Sequence, residues 1–242
     1  MRKIRFSIFA AMALLTCAIT ATAQTADEII SKHIAAIGGA ENWKKITSLK
    51  ATGSINAGGM EIPVVMTTVN GKGFKVEFTL SGMTGYEIIT PTTGWAYSPM
   101  QGQTKPEAIP QEMVKESQDQ LDIAGALIDY KTKGNKIVYL GKDDVEGTEC
   151  HKLKVTFPTG KEETMFFDAS NYYHIRSVEK IKANGKEEEQ TATYGNFQKL
   201  PEGIVYAMSQ ESGGGPIAIK TIEINKPVPD NFFKPAESDT KK

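Results

Sequence analysis

The sequence predicts a mainly β chain with a few helices: a largely antiparallel meander, opened by one helix and interrupted midway by a helical insert. Three observations carry that prediction. A capped apolar stripe of helical period occupies residues 25–37, two-residue alternation takes over from about residue 46, and between Pro99 and Tyr130 the alternation vanishes. Counting the alternating runs gives about ten to twelve strands joined by short turns. A single all-β domain, spanning residues 24–235, is an ordinary outcome at this length.

The first 23 residues read as a leader. Met1–Ser7 carries three positive charges and no acid, Ile8–Ala18 is a nearly unbroken apolar run, and Ala21-Thr22-Ala23 supplies small residues. That order is the one of a secretory signal, with cleavage expected before Gln24. A membrane anchor is the alternative, but the run is short for a span and no long apolar stretch follows it. Leu14-Leu15-Thr16-Cys17 faintly resembles a lipobox, so anchoring through a lipidated Cys17 stays open, although Thr16 is a poor residue at its position. Loss of Arg2, Lys3 and Arg5 with the leader leaves 25 basic against 29 acidic residues, a net charge of −4. That balance argues against nucleic-acid binding. One cysteine, Cys150, remains, which excludes a disulfide scaffold.

Thr25-Ala26-Asp27-Glu28 forms a capping box, in which the Thr25 hydroxyl takes an orphan backbone N–H. Ile29, Ile30, His33, Ile34 and Ile37 follow at helical spacing, and Gly38-Gly39 supplies the left-handed stop. Ala40–Ile46 adds a short second helix with Trp43 inward. Phe74, Val76, Phe78 and Leu80 then alternate with Lys75, Glu77 and Thr79, as His151, Leu153, Val155 and Phe157 do with Cys150, Lys152, Lys154 and Thr156. Hairpin turns are expected at Asn70-Gly71, where the pair favours a type I′ turn, at Pro158-Thr159-Gly160 and at Asn184-Gly185. Pro201-Glu202-Gly203 marks a further reversal. In the insert, Ile109, Met113, Ser117, Gln120-Leu121 and Ala124 suit one or two helices that return to cover one face of the sheet. The polar end, residues 236–242, is expected to fray.

Catalytic patterns are nearly absent. There is no G-x-S-x-G, H-E-x-x-H, C-x-x-C, phosphate-binding loop or dinucleotide fingerprint. His33, His151 and His174 match no zinc spacing, so no metal or cofactor is expected. Cys150 and His151 are adjacent on a strand and therefore point to opposite faces, which rules out a direct thiol–imidazole pair. Asp143-Asp144 and Glu187-Glu188-Glu189 read as solvated faces beside turns.

The apolar residues are unevenly spread. Met60, Met66, Met83, Met100 and Met113 fall in one stretch that also carries Phe74, Phe78, Tyr86, Trp95 and Tyr97. Methionine is flexible and polarizable, so it lines surfaces that accept more than one apolar shape. Two readings fit: a sheet curled around a cavity with the insert as its lid, or an ordinary core in which methionine fills gaps.

Ala26-Asp27-Glu28-Ile29-Ile30, Gly38-Gly39-Ala40-Glu41 and Ile46-Thr47-Ser48-Leu49 resemble the opening of the bacterial outer-membrane lipoprotein-sorting (LolA-like) family. The resemblance continues through Gly59-Met60-Glu61-Ile62-Pro63, Gly94-Trp95, Asp129-Tyr130-Lys131, Val145-Glu146-Gly147-Thr148-Glu149 and Phe167-Asp168. It implies a strongly curved, half-open antiparallel β-barrel covered by helices, and a non-catalytic periplasmic carrier of lipid or lipoprotein acyl chains. A monomer is expected, with an acyl chain as ligand and envelope membrane proteins as partners. Phe78, Met83, Trp95, Met100, Met113 and Leu121 are the expected cavity lining, with Trp95 at its mouth or wall. One feature departs from the family. Arg176 is the only arginine after the leader, whereas sorting carriers place a functional arginine in an early strand. A filled-core envelope interaction module is the alternative, and a lipid or glycan hydrolase, which needs convergent polar groups inside the cavity, is the more distant one.

Overall fold

The computed structural model describes residues 25–183 and 186–236. Helix α1 (Ala26–Ala36) starts at the capping box: Thr25 Oγ1 accepts the Glu28 N–H at 3.2 Å, and Asp27 and Glu28 put acid in the first turn. It stops at Gly38 and Gly39, both at positive φ, with the Gly39 N–H donating to the Ile34 carbonyl at 2.8 Å. Gly38 is needed for a second reason. A Cβ there would lie 2.1 Å from the Gly203 carbonyl oxygen, because the end of α1 docks on the reversal at 201–203. In α2 (Ala40–Lys44) the buried Trp43 donates its indole N–H to the Ile37 carbonyl at 2.9 Å.

Six strands follow: β1 (Ser48–Ala57), β2 (Met60–Val69), β3 (Gly73–Leu80), β4 (Met83–Ile89), β5 (Gly94–Tyr97) and the two-residue β6 (Glu107–Ala108). The insert holds a 3-10 turn at Pro99–Gln101, α3 (Gln111–Glu116) and a second 3-10 turn at Gln118–Leu121. Seven more strands complete the chain: β7 (Lys136–Val145), β8 (Thr148–Thr156), β9 (Glu162–Asp168), β10 (His174–Ala183), β11 (Lys186–Lys199), β12 (Val205–Ser212) and β13 (Gly215–Ile224). Among the described residues these thirteen strands form one antiparallel sheet in the order β6-β5-β4-β3-β2-β1-β13-β12-β11-β10-β9-β8-β7. The chain runs outward from β1 to one edge, jumps to the other, and returns inward until β13 pairs with β1. The edges β6 and β7 do not pair, so the curved sheet is a half-open barrel and not a closed one.

The jump from edge to edge is what makes the insert a cover. On one wing the Gly71 N–H donates to the Leu121 carbonyl at 2.8 Å, and Gln118 Nε2 donates to the Thr90 carbonyl at 3.1 Å. Val114 and Ile109 fill the space a Cβ would need at Gly94. On the other side the Tyr130 hydroxyl donates to Asp27, and Lys131 pairs with the same carboxylate at 3.1 Å. Beneath, Leu127 joins Ile29, Ile30, Leu153, Val155, Met165 and Phe167, while Ile128 joins Trp43, Ile46, Leu49, Ala51 and Ile204. The concave face is therefore packed near the helices. Burial of these aliphatic and aromatic groups, at roughly 1.5–3 kcal/mol per large side chain, is the main force holding the two wings together.

The outer face of β1–β4 has its own cover, the segment 226–236. Ser48 Oγ donates to the Lys226 carbonyl at 2.8 Å, the Ala236 N–H donates to the Tyr86 hydroxyl at 3.0 Å, and Lys75 Nζ sits 4.7 Å above the Phe232 ring. The Phe233 ring occupies the place of a missing Cβ at Gly73.

Local expectations and structure differ at one turn. The type I′ pair expected at Asn70-Gly71 is a three-residue connection, in which Gly71 has positive φ and the Lys72 N–H donates to the Val69 carbonyl at 2.9 Å. Asn70 instead spends its side chain on the insert, accepting the Ile123 N–H at 3.3 Å. Tertiary contact overrode the dipeptide preference. The leader 1–23, Cys17, the Asn184-Gly185 turn and residues 237–242 lie outside the described residues. Among the described residues, no helix is long and apolar enough to cross a membrane.

Candidate functional site

Alternation on β8 separates Cys150 from His151 completely. Cys150 is fully buried with Val145 and Phe166, and burial first, then nearby carboxylates, push its thiol up to about 11. His151 lies on the other face, its ring stacked 5.6 Å from Tyr172. His33 and His174, remote in sequence, both pack against Phe167, at 4.8 Å and 5.2 Å between ring centroids, and His151 stands opposite Phe167 in the β8–β9 register. Among the described residues no group of histidine, cysteine and carboxylate side chains is placed to hold a metal ion.

The main cavity lies between the insert and the concave wall of the second wing. Its volume is about 830 Å³, within the ordinary range of small-molecule sites. The insert supplies Gln118, Asp119, Leu121 and Ala126; the β8–β9 turn supplies Phe157, Pro158 and Lys161; the wall supplies Glu163, Met165, His174 and Tyr194. The turn at Asn70-Gly71 and Pro91 close the far side.

The wall carries a connected polar group amid apolar surface. Glu163 sits opposite Val155 on β8 and Glu179 on β10 and is 7% exposed. The Ser177 hydroxyl donates to Glu163 Oε1, and burial, outweighing that bond, raises the carboxyl to about 7. Lys161 pairs with Asp119 at 2.9 Å and Glu179 at 3.2 Å; burial opposes its charge, but the two carboxylates prevail and its pKa is raised. Tyr194 is pushed up to about 12, chiefly by burial.

The wiring at His174 differs from that of a serine nucleophile with a histidine base. The His174 Nε2 lies 2.9 Å from both the Arg176 carbonyl and Ser177 Oγ. A carbonyl only accepts, so Nε2 carries the proton and cannot take one from Ser177. Glu163 binds the serine hydroxyl and not the imidazole, the reverse of the wiring a catalytic triad requires. Burial pushes His174 down to about 3 and His33 to about 4, which keeps both neutral.

No family model matches the sequence, and no curated protein matches it. Solved structures do. A LolA-superfamily protein from Nitrosomonas europaea superposes with a TM-score of 0.55 at 14% identity, covering 87% of this chain and 98% of that one. A domain from Vibrio parahaemolyticus, provisionally assigned to outer-membrane lipoprotein sorting, gives 0.53 at 14% identity, covering 86% and 95%. The chain has the LolA-like fold.

Within that LolA-like fold, the six residues expected to line the cavity separate. Leu121 is buried and lines it. Phe78 packs its ring where Gly85 lacks a side chain, on the face shared with the buried Val64. Met83 stands opposite Leu80 at the tip of the β3–β4 hairpin, and Met83 and Met113 are exposed (43% and 56%). Met100 is half-buried on a 3-10 turn at Pro99–Gln101. Trp95 pairs with Ile88, which pairs in register with Lys75, so its side chain shares the face that segment 226–236 covers. The polar wall was missed. Its signal was parity: Glu163 occupies the same alternating set as Met165 and Phe167, an acid in an apolar register.

Proposed function

We propose that this protein is a non-catalytic, exported binder or carrier of lipid or lipoprotein acyl chains, held in the cavity beneath the insert. The observation that carries the reading is the 830 Å³ cavity of a half-open LolA-like sheet, with Leu121, Ala126, Phe157 and Met165 on its walls. Each buried CH₂ contributes roughly 0.8 kcal/mol, so a chain of about sixteen carbons supplies on the order of 12 kcal/mol before ordering losses. The periplasm is the compartment the leader indicates, and envelope membrane proteins are the partners from which a monomeric carrier would take its cargo, or to which it would give it. The absence of an arginine in β1–β6 weighs against the full lipoprotein-release cycle and leaves acyl binding as the core activity. The protonated Nε2 of His174 weighs against hydrolysis.

The test is native mass spectrometry of the protein taken gently from the periplasm, followed by titration of the delipidated protein with a fluorescent acyl probe. The expected result is a co-purifying lipid mass or saturable probe uptake. A clean apo mass with no uptake overturns the carrier reading in favour of a filled-core interaction module.

A further inference from the structure

We propose that the cavity selects ligands whose apolar chain ends in a hydrogen-bond donor, an amine or alcohol, and that Glu163 receives that end. This rests on the acyl-binding reading above and names the chemistry of the head. Glu163 is more than nine-tenths buried, yet it forms part of the cavity wall. Ser177 occupies Oε1, and the other carboxyl oxygen has no partner among the described residues. Among the described residues the fully buried side-chain atoms without a partner are Thr67 Oγ1, Asp119 Oδ1 and Arg176 Nε; this Glu163 oxygen is not one of them and is open to the cavity, where a ligand's donor can reach it.

The surrounding charges decide which head fits. The cavity's two lysines are already engaged: Lys161 by Asp119 and Glu179, and Lys133 by Asp122 and by the Gly125 carbonyl at 2.7 Å. The acids Glu116, Asp119, Asp122 and Glu163 all face the same space. His174 is neutral, with its Nε2 proton committed to the Arg176 carbonyl. An anionic carboxylate or phosphate head would meet acids and no unengaged cation, whereas an alcohol or ammonium finds an acceptor. Burial raises the Glu163 carboxyl to about 7, so near neutrality its acid and carboxylate forms are both within reach, and an ammonium beside it favours the carboxylate.

The experiment displaces the neutral probe N-phenyl-1-naphthylamine from the exported protein with dodecylamine, dodecanol and laurate below their micelle concentrations. One hydrogen bond to a buried carboxyl predicts displacement by the amine and alcohol at roughly tenfold lower concentration than by laurate. Glu163→Leu is expected to remove that gap while still binding the probe. Glu163→Gln, which keeps an acceptor but no charge, is expected to keep the alcohol's advantage and lose the amine's. Laurate binding as well as the other two, or a gap that survives in Glu163→Leu, overturns the proposal. If Glu163→Leu does not fold, Glu163→Gln decides it, because an unchanged amine preference there removes the carboxyl from the account. A wild-type protein that binds no probe and no amphiphile fails at the carrier reading itself, so the two failures are distinguishable.

Discussion

Replacing Glu163 by glutamine should change how stability depends on pH. In the folded protein burial holds this carboxyl at about 7, against 4.5 in the unfolded chain. Below 4.5 both states are protonated and the group's stabilising contribution is fully present. As pH rises from 4.5 towards 7 the unfolded chain ionises while the folded protein keeps its proton, so the contribution is lost; above 7 nothing further changes. At 1.36 kcal/mol per unit, the loss is about 3 kcal/mol. Two histidines act in the opposite sense: burial holds His33 at about 4 and His174 at about 3, so their contribution is present above 6.5 and lost as pH falls. Both remain in Glu163→Gln, so the difference between wild type and variant isolates the carboxyl. Urea unfolding at pH 5, 6, 7 and 8 reads that difference directly. It should move in the variant's favour by roughly 2–3 kcal/mol across the series. A difference that stays flat would refute the claim that a protonated acid is buried on this wall.

Two backbone substitutions probe the covers on either face. Gly38→Ala puts a Cβ 2.1 Å from the Gly203 carbonyl oxygen at a φ of 100°, so the end of α1 must leave its seat. A loss of roughly 3 kcal/mol or more is expected, and an unchanged thermal midpoint would show that α1 does not dock there. Gly73→Ala drives a Cβ to 2.5 Å from the Phe233 ring. It should release segment 226–236, seen as faster amide exchange confined to those residues, at a cost of about 1–3 kcal/mol. Unaltered exchange there would mean that Phe233 is not what holds the segment.

The sequence by itself determined what depends on near neighbours. Thr25 at the N-cap, the stop at Gly38-Gly39, the alternation of β3 and β8, and the break in alternation at the insert are all effects of a few consecutive residues, and all are found where the pattern puts them. So is the separation of Cys150 from His151, which parity alone dictates. The curved half-open architecture was legible through resemblance, since nothing in a two-residue period says whether a sheet closes. Parity also assigns residues to a face without saying which face is concave. For that reason Trp95, at the centre of the methionine-rich stretch, stands on the side that segment 226–236 covers, and Met83 and Met113 are largely in solvent. Only the tertiary structure decided where the cavity lies and which side chains line it. Glu163 on β9, Ser177 and His174 on β10, Tyr194 on β11 and Asp119 on the insert meet because the chain crosses from one edge of the sheet to the other, and burial there sets the protonation of groups that look ordinary in sequence.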